Sequence, residues 1–228
     1  MGNQLTLDLA LPPPTYARED FVVADGNREA LAWIDRWPDW PAPALSLSGP
    51  TGCGKTHLGR IWAARSGATV MTGRDLEGRN VADLTDLATA SRAIMIDEAE
   101  GAPERGLFHL YNLMRERGGS LLLVSAEPPA RWSIVLPDLA SRLRAIPVVT
   151  LSAPDDELLR AVLVKLFADR QLAVDESLVS YLMARLERSF PAARVAVERL
   201  DREAIQRKRP VSRALAAELY RGEAETRS

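Results

Sequence analysis

Short apolar runs of strand length recur through the first two thirds of the chain, at residues 44–48, 68–71, 92–98, 121–125 and 146–151. Between them the apolar spacing turns helical. Residues 81–90 carry Leu84 and Leu87 three apart, and residues 107–117 place Leu107, Leu110, Leu113 and Met114 on one face. Further helices are predicted over 28–37, 57–64 and 138–144, with Gly118-Gly119 and Pro128-Pro129 as stops. Runs that are apolar throughout and alternate with helices predict a parallel sheet covered on both faces. From Pro154 onward only helical signals remain. The first covers 155–169 with acids in its opening turn, Asp175 caps a second running to Arg188, Pro191 opens a third, and Ser212 caps a fourth. The expected fold class is therefore α/β: a core over residues 15–152 with a parallel five-stranded sheet flanked by helices, then an all-helical lid domain over 153–228.

Residues 1–14 stand apart. Gln4 to Leu9 alternate polar and apolar, as a strand does, but Pro12-Pro13-Pro14 follow and favour an extended spacer. Two readings compete: a first strand of the main sheet, or a peptide that docks in extended form on another protein with Leu7 and Leu9 filling pockets. The proline spacer favours the second.

Composition narrows the function classes. The 228 residues are 46% hydrophobic and 26% charged, with a formal net charge of −2, which argues against a dedicated nucleic-acid binder. One cysteine, Cys53, excludes an internal disulfide and fits a reducing compartment. With only His57 and His109 as histidines there is no metal-ligand spacing, and both read as structural. No apolar run approaches membrane-spanning length and no secretory leader is recognisable, so a cytoplasmic protein without membrane contact is expected.

The firmest motif is Gly49-Pro50-Thr51-Gly52-Cys53-Gly54-Lys55-Thr56, followed by His57. It fits the phosphate-loop pattern G-x-x-x-x-G-K-[ST] between a strand and a helix. The glycines let successive N–H groups point at phosphate oxygens, Lys55 reaches the terminal phosphates, and Thr56 holds Mg²⁺ through its hydroxyl. Downstream, Ile94-Met95-Ile96-Asp97-Glu98 is an apolar strand ending in two carboxylates. Asp97 would hold Mg²⁺ through water, and Glu98 would orient an attacking water. Ser125 ends the next strand; it reads either as a contact to the γ-phosphate or water, or as a plain polar terminus. Arg142 and Arg144 lie on a short predicted helix. Alone they read as solvated charges, but beside a nucleotide core either can be an arginine supplied to a neighbour's nucleotide.

These motifs, together with Leu123-Val124-Ser125-Ala126-Glu127-Pro128-Pro129 and Asp138-Leu139-Ala140-Ser141-Arg142-Leu143, resemble the AAA+ ATPases of the bacterial replication-initiator (DnaA) group. The chain is most similar to the Hda-type regulators within that group, which join a clamp-binding peptide to an AAA+ module and promote inactivation of the initiator. The resemblance implies that Gln4, Leu5, Leu7 and Leu9 dock on the polymerase sliding clamp, with DNA reached only through the clamp. It implies that Phe21, Val22, Val23 and Asn27 enclose the adenine of ADP or ATP, and that Arg142 is the arginine finger offered to ATP on DnaA. It also admits a homodimer. The family's lid arginine falls where this chain has Pro191; Arg194, one turn later, is the substitute the sequence offers. Two rivals stay open: an independent ATPase acting as a loader or motor on DNA or helicase, and a non-catalytic adaptor switched by nucleotide.

Overall fold

The computed structural model describes residue 18 and residues 21–225. Its strands are β1 (Ala44–Ser48), β2 (Thr69–Thr72), β3 (Ala93–Asp97), β4 (Ser120–Ser125) and β5 (Val148–Thr150), all parallel, in the order β2-β3-β4-β1-β5. The expected α/β class with a five-stranded parallel sheet is what the chain forms. The Gln4 to Leu9 segment, for which a strand was one reading, lies outside the described residues.

Alternate residues of β3 and β4 feed two separate cores, which is why those runs are apolar throughout, whereas the edge strand β5 buries only Val149. Leu45, Leu47, Met95, Leu122 and Val124 face α1 (Asp25–Asp35) and α2 (Lys55–Ser66), where Ile34, Leu58 and Trp62 are buried. Ile94, Ile96, Leu121 and Leu123 face α3 (Val81–Ala90), α4 (Glu104–Glu116) and α5 (Pro137–Arg144). The proline-rich loop before β1 is pinned by tryptophans: Trp40 stacks on Trp62 at 5.4 Å, and its Nε1 donates to the Trp33 carbonyl at 2.8 Å.

The remaining helices, α6 (Asp156–Asp169), α7 (Glu176–Met183), α8 (Phe190–Arg207) and α9 (Arg213–Glu225), surround a third core built on Leu163, Phe167, Leu178, Leu182, Val197 and Leu215. Their starts were legible: Asp155 accepts from Leu158 N–H at 2.7 Å and Asp175 from Leu178 N–H at 2.9 Å. The second of these helices stops at Met183 instead of running to Arg188. Ser189 must be extended (φ −145°, ψ 148°) to cap α8, and Arg188 turns back to pair with Asp156 at 2.8 and 3.0 Å. A continuous helix satisfies neither. At α4 the helix begins three residues before Leu107, because the Glu104 carboxylate accepts from Val135 and Leu136 N–H at 2.8 and 2.6 Å. That tie also fixes where α5 begins.

Because the strands are parallel, the carboxyl ends of β1, β3 and β4 share one edge. β1 has β4 on one side and β5 on the other, so its following loop sits at a topological switch point, where open α/β sheets place ligands.

Candidate functional site

The loop after β1 runs into α2 through Gly54, which caps the helix at φ 99°. Lys55 Nζ donates to the carbonyls of Gly49 at 2.6 Å and Pro50 at 2.8 Å, so its ammonium is held at the mouth of the loop. Thr56 Oγ1 donates to Asp97 Oδ2 at 2.9 Å, joining the ends of the phosphate-loop segment and β3. Glu98 follows with φ 50° and ψ 44°, a left-handed conformation uncommon for a non-glycine residue and found disproportionately at functional sites. A cavity of about 440 Å³ opens here, lined by Thr51, Gly52, Lys55, Thr56, Asp97 and Glu98 among others. Loop amides, an ammonium and the positive end of α2 offer a cradle for a polyphosphate. The Thr56 hydroxyl and Asp97 carboxylate are hard oxygen donors suited to Mg²⁺. Among the described residues no group of three His, Cys, Asp or Glu converges to cage a metal by itself.

Ser125 also lines the cavity, but its Oγ donates to the Glu127 carbonyl at 2.8 Å, so the hydroxyl serves the turn after β4. Asn27 is buried and works inside its own turn: its Oδ1 accepts from Ala24 N–H and its Nδ2 donates to the Val22 carbonyl, both at 2.9 Å. It shapes the 21–27 segment. Phe21 meets the His57 ring edge-on at 5.7 Å, which brings that segment against the start of α2. Phe21, Val22 and Val23 do not line the cavity itself.

Two groups that the sequence did not single out belong to the cavity. Glu100 accepts from Ala126 N–H at 2.8 Å, bridging the loops after β3 and β4, and Arg74 enters from the turn after β2. Neither belongs to a motif in the sequence, and strand order brings them to this edge.

The lid reaches the phosphate loop through backbone. Phe190 N–H donates to the Gly52 carbonyl at 3.1 Å, and the Phe190 ring lies against Gly54. Gly52 has φ 79°, and a Cβ there would fall 2.7 Å from Ser189 Cβ and 3.3 Å from Pro191 Cδ. The lid residues that touch the loop are thus Ser189, Phe190 and Pro191, which carry no charge. Arg194, one turn along α8, does not line the cavity.

Arg142 lies elsewhere. Leu139 and Leu143 bury one side of α5, and Arg142 extends over α4 with its guanidinium carbon 5.2 Å from the Phe108 ring centre and 5.7 Å from that of Tyr111. Arg144 folds back instead, its Nε donating to the Ala140 carbonyl at 3.2 Å. Neither arginine lines the chain's own cavity.

Cys53 is 3% exposed, and burial pushes its thiol pKa up, against a weaker lowering by the Lys55 ammonium. A raised pKa keeps the thiol protonated at neutral pH, whereas the thiolate is the nucleophile. Alkylation by iodoacetamide is therefore expected to be much slower than for an exposed cysteine at about pH 7 and to accelerate only in alkaline solution. Mass-spectrometric labelling rates across pH check this; rapid neutral labelling would contradict it.

No family model matches the chain. It is 27% identical over 236 residues to the chromosomal replication initiator protein DnaA of Thermomicrobium roseum, covering 91% of this chain and 50% of the relative. The chain thus spans about half the length of that curated relative. Domain III of the Thermotoga maritima replication initiation protein DnaA superposes with a TM-score of 0.80 at 21% identity, covering 92% of this chain and 97% of that one. The Thermotoga maritima RuvB Holliday junction branch migration motor superposes at 0.70 with 16% identity, covering 90% and 70%. The protein is thus an α/β module with the AAA+ fold: a parallel core and a helical C-terminal part. Within that class its architecture is DnaA-like, that of DnaA domain III, and its sequence is similar to DnaA.

Proposed function

We propose that this chain is a nucleotide-binding AAA+ regulator that restrains initiation of chromosomal replication by promoting hydrolysis of ATP bound to the initiator DnaA. The observation that carries the reading is Arg142: its guanidinium rests on α4, outside its own cavity, as suits a charge presented to a neighbour's phosphates. Similarity to DnaA supports the choice of partner.

In this reading residues 1–14 are a clamp-binding peptide and spacer, with Gln4, Leu5, Leu7 and Leu9 docking on the sliding clamp. Residues 15–152 are the nucleotide core and 153–228 the lid. The core holds ADP or ATP. A solved replication initiator DnaA is bound to AMPPCP and single-stranded DNA, which supports a nucleotide here. Loop amides from Gly49 to Thr56 and the Lys55 ammonium bind the phosphates, Phe21, Val22, Val23 and Asn27 flank the base, and Thr56 and Asp97 hold Mg²⁺. The ion, when bound, neutralises phosphate charge. Glu98 orients water, and Ser125 and the lid's Arg194 are the remaining residues assigned to the nucleotide.

The test is hydrolysis of DnaA-bound ATP in the presence of DNA-loaded clamp. Arg142→Ala is expected to lower the stimulated rate by about 10³-fold, the scale of an arginine finger, with clamp and nucleotide binding retained. Undiminished stimulation sinks the mechanism. A second reading draws on the Thr56–Asp97 contact and the placement of Glu98, which also suit turnover of the chain's own ATP, as in a loader or motor. Fast steady-state hydrolysis by the protein alone favours it.

A further inference from the structure

We propose that Arg74 reads the terminal phosphate of the bound nucleotide and sets a preference for triphosphate over diphosphate, an inference that rests on the nucleotide reading above and deepens it. Lys55 and Arg74 are the two cations that line the cavity. Lys55 is committed to the loop mouth. Among the described residues the Arg74 side chain makes no hydrogen bond or ion pair, and it is exposed to the cavity rather than packed. Asp97, Glu98 and Glu100 line the same space, so a phosphate entering it meets three carboxylates and needs a compensating cation.

Strand order decides which phosphate that is. The 21–27 segment lies at the β5 side, where Gly26 approaches Ser152, while β2 is the opposite edge strand, beyond β3. A nucleotide with its base at the 21–27 segment and its phosphates on the loop after β1 points its last phosphate toward Asp97 and the β2 side. Arg74 stands at that end. The inner phosphates stay with the loop amides, while Lys55 reaches the terminal phosphates from the loop side and Arg74 from the β2 side.

The turn that carries Arg74 is built to hold it there. Asp75 Oδ2 accepts from Thr72 N–H at 2.6 Å and from Thr72 Oγ1 at 2.9 Å, closing the 3₁₀ turn Gly73–Leu76. Those hydrogen bonds hold the Asp75 carboxyl below its usual range, so the closure persists at neutral pH. Leu76 is buried and anchors the far end. At Gly73 a Cβ would fall 2.5 Å from the Glu98 carbonyl oxygen and 2.8 Å from Ala102 N, so the turn presses directly on the loop after β3. Gly73 thus holds the turn beside Glu98, and the Arg74 side chain extends from it toward the cavity. Among the described residues that line the cavity Arg74 is the cation beside Lys55, and the lid residues that touch the loop, Ser189, Phe190 and Pro191, bring no charge.

The experiment measures the affinities of the full chain for ATP and ADP, each with Mg²⁺, by displacement of a fluorescent nucleotide. Wild type is expected to prefer ATP. Arg74→Ala should raise the Kd for ATP about tenfold, the loss of one charge-assisted contact, and move that for ADP by less than about twofold. Arg74→Lys should keep part of the ATP preference. Equal weakening for both nucleotides, or unchanged ATP affinity with altered hydrolysis, overturns the assignment; the latter would place Arg74 with Glu98 instead. If wild type binds neither nucleotide, the nucleotide reading itself fails, and this inference falls with it.

Discussion

Lys55→Ala is expected to remove nucleotide binding while leaving the fold intact. The side chain is part-buried, and its contacts are to the loop carbonyls of Gly49 at 2.6 Å and Pro50 at 2.8 Å and, more weakly, to Cys53 Sγ at 4.0 Å, so its loss leaves no charge stranded in a core. Unfolding without nucleotide should shift by less than about 1 kcal/mol, as for other changes outside a packed core. Bound phosphate is different. The ammonium is the one loop cation that meets the terminal phosphates, and charge-assisted contacts to two phosphate oxygens put the affinity loss at about a hundredfold or more. A ligand that binds only the folded state at about 100 times its Kd raises stability by about 2.7 kcal/mol. Wild type should show that gain in thermal unfolding with saturating nucleotide, and Lys55→Ala should show almost none. An equal gain in both proteins would mean that the loop does not hold the phosphates.

Gly52→Ala should cost stability through two separable causes. The residue sits at φ 79°, where an L side chain is strained by about 1–2 kcal/mol, and its Cβ would fall 2.7 Å from Ser189 Cβ. The second cause belongs to the lid, because Ser189 caps α8 and Phe190 N–H donates to the Gly52 carbonyl. Adding Ser189→Gly removes the 2.7 Å clash and leaves the backbone strain and the milder approach to Pro191 Cδ at 3.3 Å. Replacing a serine cap by glycine costs only a few tenths of a kcal/mol, so the single Ser189→Gly change is nearly neutral. The double variant is therefore expected to be more stable than Gly52→Ala alone, with a coupling of about 1 kcal/mol or more in a double-mutant cycle read by denaturant unfolding. Strict additivity would show that the lid does not press on the loop.

The strands and helices of the core were legible because their periodicities are local and strong. The fully apolar runs require two covered faces, and the glycine-rich loop between strand and helix requires a phosphate-type turn. Helix ends were less legible wherever a tertiary tie set them. Glu104 begins α4 early by holding the amides of Val135 and Leu136, and α7 ends at Met183 so that Ser189 can turn toward the loop. Arg142 and Arg144 could not be told apart by spacing. Packing separates them: one lies over Phe108 and Tyr111, the other folds onto its own helix.

The phosphate loop, the carboxylates after β3 and the division into an α/β part and a helical part were determined by the sequence itself, since each depends on neighbours within a few residues. The membership of the cavity was decided only in three dimensions. Asp97 meets Thr56, Glu100 bridges to Ala126 and Arg74 lines the cavity because parallel strands in the order β2-β3-β4-β1-β5 bring distant chain segments to one edge. Strand order is a property of the whole packed sheet, and no local pattern encodes it.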